Sequence, residues 1–279
     1  MTSTVQQALA AAQTRLAESD TPRLDAELLL CHLLEKNRAW LRAWPERVLT
    51  ADEQAVFEDL VARRAAGEPV AYLTGRRAFW SLELKVTPAT LIPRPDTETL
   101  VEWALELMPP EAALNLADLG TGSGAIALAL GRERHRCRVV ATDVSLDTLA
   151  VARENATLNQ VGNVEFLPGS WFAPLAGRRF DLIASNPPYV AAGDPHLGRG
   201  DLRYEPPGAL ASGRDGLDDI RLLAAGAWAH LAPGGWLLLE HGYDQGAAVR
   251  ELLSRHGYRE VQTRRDGGGH ERVSGGRWS

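Results

Sequence analysis

The sequence predicts an α/β protein: a doubly wound, mostly parallel sheet with a small helical domain ahead of it. Three observations carry this. From residue 115 onward, apolar runs ending near Leu119, Thr142, Leu167, Ala184 and Glu240 alternate with helical patterns, the order that builds parallel βαβ units. A Gly-x-Gly-x-Gly turn, Gly120 to Gly124, joins the first of these runs to the helix after it. Residues 1 to about 66 have no strand signal and read as helices.

The helical part begins with a polar-apolar pattern over 1–16 that lacks a signal-peptide core. Thr21-Pro22 starts a second helix, with proline in its first turn. Leu24, Leu28, Cys31 and Leu34, with Leu30 and Leu33, form its expected apolar stripe. A further helix spans 51–66 and ends at Gly67. The domain serves either as a packing cap or as a dock for a partner. Val70 to Leu73, Arg77 to Trp80 and Leu82 to Val86 read as extended. Together they predict a β-hairpin linker over 69–90, between a helical domain of 1–68 and a larger domain of 91–279. Leu91 to Glu98 then leads into a helix capped by Asp96 or Thr97. Glu98 suits the positive end of that helix. Arg94 reads as a surface ion-pair partner or as a residue reaching toward a ligand. The strands and helices after residue 115 follow, and the last residues add a hairpin.

Composition narrows the function classes. The chain has 279 residues, is 45% hydrophobic and carries a net charge of -6. That balance argues against a general nucleic-acid binder, which presents a basic stripe. The two cysteines, Cys31 and Cys137, are far apart and read as reduced thiols of a cytoplasmic protein. The seven histidines show no metal-ligand spacing, and no run approaches the ~20 apolar residues of a membrane span.

Ser185-Asn186-Pro187-Pro188-Tyr189 follows the strand pattern of 180–184. Two prolines end strand pairing and stiffen the backbone there. Each holds its predecessor extended. The Asn186 carboxamide, free main-chain carbonyls and the Tyr189 ring are thereby fixed at a strand's carboxyl end. A carboxamide oxygen beside a proline carbonyl offers two acceptors, which suits a planar NH2 group.

Gly120, Gly122 and Gly124 permit positive φ and close approach by a ligand. The N–H groups at the start of the next helix favour an anion. Asp143, closing the next strand, suits hydrogen bonds from ribose hydroxyls. A nicotinamide dinucleotide and S-adenosylmethionine both fit. The triplet is not Gly-x-Gly-x-x-Gly, and no hydride-site His or Lys is evident. Asn186 to Tyr189 tilts the balance to S-adenosylmethionine. A regulatory cofactor-binding protein and a dehydrogenase are the other readings.

Leu91 to Glu98, Asp118 to Gly124, Asp143, Trp171-Phe172, Ser185 to Tyr189 and Leu239 to Gly242 together resemble the bacterial protein-(glutamine-N5) methyltransferases that modify peptide-chain release factors. The resemblance covers essentially the whole chain. Asn-Pro-Pro-Tyr alone also occurs in enzymes that methylate the adenine amine or a ribosomal-protein glutamine. Pro95 to Glu98 resembles the release-factor branch. The resemblance implies an S-adenosylmethionine-dependent methyltransferase fold. In it Gly120, Thr121, Gly122, Ser123, Gly124 and Asp143 hold the cofactor, Trp171 lies near its adenine, and Asn186 touches cofactor and substrate. Asn186, Pro187, Pro188 and Tyr189 then hold the glutamine of a Gly-Gly-Gln loop. The implied partner is the release factor, with no membrane and no nucleic-acid substrate. One departure is Ser170, where many relatives carry an acid suited to the adenine amino group.

Overall fold

The computed structural model describes residues 2–198 and 200–279. It divides into two compact units, Met1–Gly75 and Arg76–Ser279.

The first unit is helical. α1 (Val5–Arg15) and α4 (Ala51–Ala65) each start with a capping box, from Thr4 with Gln7 and from Thr50 with Glu53. α2 (Pro22–Leu34) has proline at its first turn, and α3 (Arg38–Ala43) is capped by Asn37. α5 (Val70–Thr74) is a single helical turn, where the side chains alone suggested an extended run. Pro69 at its start and Gly75 at its end, with φ of 68°, bracket it. The expected stripe on α2 holds at Leu30, which is buried, but Leu24 and Leu28 are exposed and Leu29, outside the stripe, is buried instead. Leu29 and Leu30 join Leu41, Leu49, Phe57 and Val61 in one core. Beneath them the Arg64 guanidinium donates to the buried Asp25 carboxylate at 2.7 Å.

The second unit opens on a hairpin of β1 (Arg76–Phe79) and β2 (Leu82–Lys85), paired antiparallel. Its turn includes Trp80 at a φ of 54°, whose N–H donates to Glu98 at 2.9 Å. Glu98 begins α6 (Glu98–Leu107). The expected caps of α6 are absent. Asp96 and Thr97 sit in a 3-10 turn, Pro95–Thr97, and Thr97 already has helical angles, so its hydroxyl points elsewhere.

The main sheet holds seven strands in the order β5-β4-β3-β6-β7-β9-β8. They are β3 (Asn115–Leu119), β4 (Arg138–Asp143), β5 (Val164–Pro168), β6 (Phe180–Ser185), β7 (Leu231–Glu240), β8 (Arg259–Arg265) and β9 (Glu271–Arg277). The first five are parallel, and β9 pairs antiparallel with both β7 and β8. The central strands β3, β4 and β6 are buried on both sides, and the edge strands β5 and β8 are not. Leu116, Leu182 and Leu238 face α6 and α7 (Ala125–Glu133) through Leu100, Trp103 and Leu128. Leu119, Ile183 and Leu237 meet Ile220 and Leu223 of α9 (Asp218–Gly226) and Val249 of α10 (Gly246–Arg255). Each such side chain contributes roughly 1.5–3 kcal/mol by leaving water, against ~1 kcal/mol for a helix cap. These two apolar layers therefore hold the sheet. α8 (Leu146–Leu158) carries the buried Asn155, whose amide accepts from Lys85 N and donates to Lys85 O, locking the hairpin to this helix. Among the described residues no helix is long and apolar enough to cross a membrane.

Candidate active site

The strand order reverses beside β3. The chain runs outward from β3 to β4 and β5, then returns to the other side of β3 for β6 and β7. The loops after β3 and β6 diverge at such a point and leave a crevice at the carboxyl ends of the strands. One loop is Gly120 to Gly124, and the other is Asn186 to Tyr189. Leu119 and Ser185, the last residues of the two strands, are register partners.

The glycine loop is drawn onto β4, because the Gly120 and Thr121 N–H groups both donate to the Thr142 carbonyl at 2.9 Å. Gly120 has φ of 72°, and a Cβ there would meet the Trp171 ring at 3.1 Å. Gly122, at φ of 57°, would meet nothing within 4 Å, so its backbone borders open space. Asp118 braces the loop from below. Its Oδ2 accepts from the Thr121 hydroxyl at 2.6 Å and from Ala127 N at 3.1 Å, so it ties down the start of α7. Its Oδ1 has no partner among the described residues. Complete burial pushes the Asp118 carboxyl up to about 7. Ser123 is buried, and its carbonyl accepts from the Asn155 amide at 2.9 Å.

Asp143 lies next to the glycine loop. One oxygen accepts from Gly122 N and the other from Ser145 N, both at 3.0 Å. Burial raises its pKa, and these N–H groups oppose that. Each carboxylate oxygen keeps a second lone pair, enough to accept from a pair of ribose hydroxyls. The cap of α8 is Ser145, which accepts from Thr148 N at 3.2 Å, so Asp143 is free of that task. Val144 beside it is exposed, and nothing in the sequence pattern singled it out. Trp171 has a left-handed φ of 46°, and its ring covers Gly120. Phe172 turns away and stacks on His230 at 5.0 Å. Ser170 is exposed.

Across the crevice, the Asn186 Nδ2 donates to Thr97 Oγ1 at 3.2 Å. The Asn186 Oδ1 has no partner among the described residues. Pro187 is buried and fixes the backbone. Pro188 is half-buried beside it. The Tyr189 hydroxyl donates to Glu240 Oε1 at 3.4 Å, and its carbonyl accepts from Gln245 at 3.0 Å. Glu240 is fully buried at the end of β7, and burial pushes its carboxyl up to about 7. The neighbouring Thr97 hydroxyl and Arg272 guanidinium oppose that rise, and Asp96 adds to it. Glu240 Oε2 has no hydrogen-bond partner among the described residues. Burial and the Glu240 charge push the Tyr189 phenol above its usual range. Sequence pattern placed both Thr97 and Glu240 in motifs, read Thr97 as one of two helix caps and gave Glu240 no task.

Arg94 does not pair at the surface. It reaches the fully buried carboxylate of Glu205, which also accepts from Ile92 N at 3.0 Å. The glycine- and proline-rich segment over 191–214 includes Arg199, which lies outside the described residues. Its described part contains the 3-10 turns Pro195–Gly198, Gly200–Tyr204 and Pro207–Ala209.

A glycine turn after β3, an acid closing β4 and Asn-Pro-Pro-Tyr after β6, on this strand order, define an S-adenosylmethionine-dependent methyltransferase. Residues 7–75 match the family model described as PrmC N-terminal domain, and residues 97–198 match the methyltransferase small domain. The chain is 54% identical over 270 residues to a release factor glutamine methyltransferase of Xylella fastidiosa, covering 97% of each chain. It is 51% identical over 284 residues to the Vibrio cholerae protein of the same name, covering 100% of this chain and 98% of that one. A crystal structure of a methyltransferase from Pyrococcus furiosus shares the fold, with a TM-score of 0.54 at 21% identity, over 79% of this chain and 98% of that one. The chain belongs to the release factor glutamine methyltransferase family.

Proposed function

We propose that this enzyme transfers a methyl group from S-adenosylmethionine to the side-chain amide nitrogen of the glutamine in the Gly-Gly-Gln loop of a peptide-chain release factor. The observation that carries this is the Asn186 amide: its NH2 is engaged by Thr97, and its oxygen has no partner among the described residues, beside a rigid Pro-Pro backbone.

The residues fit the cofactor. Gly122 borders open space, Asp143 keeps free lone pairs beside it, and Trp171 supplies an aromatic face over Gly120. Gly120, Thr121, Gly122, Ser123, Gly124 and Asp143 hold it, with Trp171 beside its adenine and Asn186 at its reactive end. When bound, S-adenosylmethionine supplies an electrophilic methyl on a good leaving group.

The glutamine amide is a poor nucleophile because its nitrogen lone pair is delocalised. The amide rotation barrier of ~18–20 kcal/mol gives the scale. Asn186 Oδ1 and the Pro187 carbonyl accept its two hydrogens, which fixes the amide plane. Pro188 and Tyr189 close the other sides. The nitrogen is then held at near-attack distance, roughly 3–3.5 Å. Both acceptors favour the positive charge that develops on it. The spare proton leaves to water after transfer, so no general base is needed beforehand.

The helical unit exposes Trp44, Val48 and Val56. It docks the release factor, and the enzyme works in the cytoplasm without a nucleic-acid substrate. The test is methyl transfer from labelled cofactor to release factor, its Gln→Ala loop variant, a ribosomal protein and adenine-containing DNA. Label on release factor alone, lost with the loop glutamine, is the expected result. Label on DNA would overturn the substrate assignment.

A further inference from the structure

Gln245 stands among three loops of the methyltransferase unit, and the chemistry above gives it no part. It precedes α10 and is half-buried. Its Oε1 accepts from Gly242 N at 2.8 Å. Its Nε2 donates to the Tyr189 carbonyl at 3.0 Å and to the Asp215 carbonyl at 3.3 Å. A carboxamide NH2 has two hydrogens, and both are used. Every partner is a backbone group that can only donate or only accept, so the amide fits in one orientation. Turned over, it would set NH2 against N–H and oxygen against two carbonyls.

Both ends of this link are held. The Gln245 N–H donates to the Gly242 carbonyl at 3.0 Å. The ring Nδ1 of the buried His241 donates to the same carbonyl at 2.8 Å, and its Nε2 meets Ser274 Oγ on β9 at 2.8 Å. At the other end, Gly216 has φ of 76°, and a Cβ there would come to 2.2 Å from the Tyr189 carbonyl oxygen. That carbonyl is thereby enclosed by Gly216 and Gln245.

The turn over 186–189 needs such a hold from outside. Pro187 and Pro188 have no N–H to anchor them, so its flanks fix it. On the incoming flank the Ser185 hydroxyl donates to the Leu119 carbonyl at 2.6 Å. On the outgoing flank the Tyr189 carbonyl takes the Gln245 amide, and Val190 N continues to the Leu210 carbonyl at 2.9 Å. We infer that Gln245 is a positioning residue for methyl transfer: by holding the Tyr189 carbonyl it fixes the outgoing end of the Pro-Pro turn, and so the direction in which the Pro187 carbonyl meets the substrate amide. This rests on the reading of Asn186 and Pro187 as the acceptor pair.

The experiment compares full-length Gln245→Glu, Gln245→Ala and Asn186→Ala with the unaltered enzyme. It reads kcat and KM on a Gly-Gly-Gln peptide, cofactor affinity by calorimetry, and the unfolding midpoint. Glutamate has the shape of glutamine and keeps the acceptor for Gly242 N, but its carboxylate has no hydrogen for the Tyr189 carbonyl. A role in packing alone would survive Gln245→Glu. Both Gln245 variants are expected to lower kcat by about 10- to 100-fold, the scale of a misplaced reacting group. Glutamate lowers it more than alanine, because a charged oxygen then faces two carbonyls. KM and cofactor affinity change little. Wild-type kcat in Gln245→Glu beside an inactive Asn186→Ala would overturn the inference. So would a kcat that falls only in step with folded protein or with cofactor affinity. Full activity of Asn186→Ala beside an impaired Gln245→Glu would instead overturn the reading of the acceptor pair.

Discussion

The Ser185 hydroxyl donates to the Leu119 carbonyl at 2.6 Å in a fully buried setting, joining the ends of β6 and β3. This bond sets the spacing between the two loops that make the crevice. Ser185→Ala removes it without adding volume. The methyltransferase unit is expected to lose about 1 kcal/mol, the usual net value of one buried hydrogen bond. Chemical denaturation checks that loss, and kcat is expected to fall with it because Asn186 follows directly.

Asn186→Ala removes an acceptor that acts on charge developing in the reaction. The expected cost is ~10²–10³-fold in kcat. The folded state is expected to change little, since among the described residues the Asn186 amide bonds only Thr97. Steady-state kinetics on a Gly-Gly-Gln peptide gives the answer.

Gly122→Ala separates ligand binding from folding. A Cβ at this position meets no protein atom within 4 Å but needs a φ of 57°. The backbone penalty is about 1–2 kcal/mol. A larger loss is expected in cofactor affinity, because the added methyl enters the space that the loop leaves open. Calorimetric titration with S-adenosylmethionine, beside an unfolding curve, distinguishes the two losses.

Glu205 is expected to be the anchor of the segment after Tyr189. Glu205→Ala strands the Arg94 guanidinium and the Ile92 N–H together. Breaking a buried pair by removing one partner costs ~3–5 kcal/mol. Limited proteolysis should cut the segment over 191–214 faster in this variant than in the unaltered protein. Equal cutting rates would remove the anchoring role.

Two buried carboxyls give the stability a pH slope. Asp118 and Glu240 both titrate near 7 in the folded chain, raised from 3.8 and 4.5 by burial. Between the ordinary and the raised values, the folded state holds more protons than the unfolded one. Stability therefore falls as pH rises from about 4.5 to above 7. Denaturation midpoints at pH 5.5 and 8 are expected to show this, and Glu240→Gln is expected to flatten its share.

What the sequence disclosed was local. Gly120 to Gly124, Asp143 and Asn186 to Tyr189 are contiguous or closely spaced, and their geometry follows from residue type. Proline and glycine dictate φ wherever they fall. Thr97 and Glu240 are different, because their contacts with Asn186 and Tyr189 exist only once α6, β6 and β7 have converged. Thr97 at a helix start reads as a cap until its helical angles are known. Val70 to Leu73 misled for a related reason: β-branched and aromatic residues favour extended chain weakly, and one turn between Pro69 and Gly75 overrides them. On α2, leucines at six of its 13 positions give no single helical face, so packing chose Leu29 and Leu30.

The Asn186 site draws on a turn before α6, a loop after β6 and the last residue of β7, so it has a history as well as a geometry. During synthesis, a chain that has emerged only as far as Tyr189 already carries both prolines and the carboxamide. It still lacks Glu240, the carboxylate that accepts from the Tyr189 hydroxyl. Contacts this distant in sequence form late, after the local ones. The reaction centre is therefore completed only with β7, and a nascent chain still held on its ribosome short of Glu240 lacks a finished one.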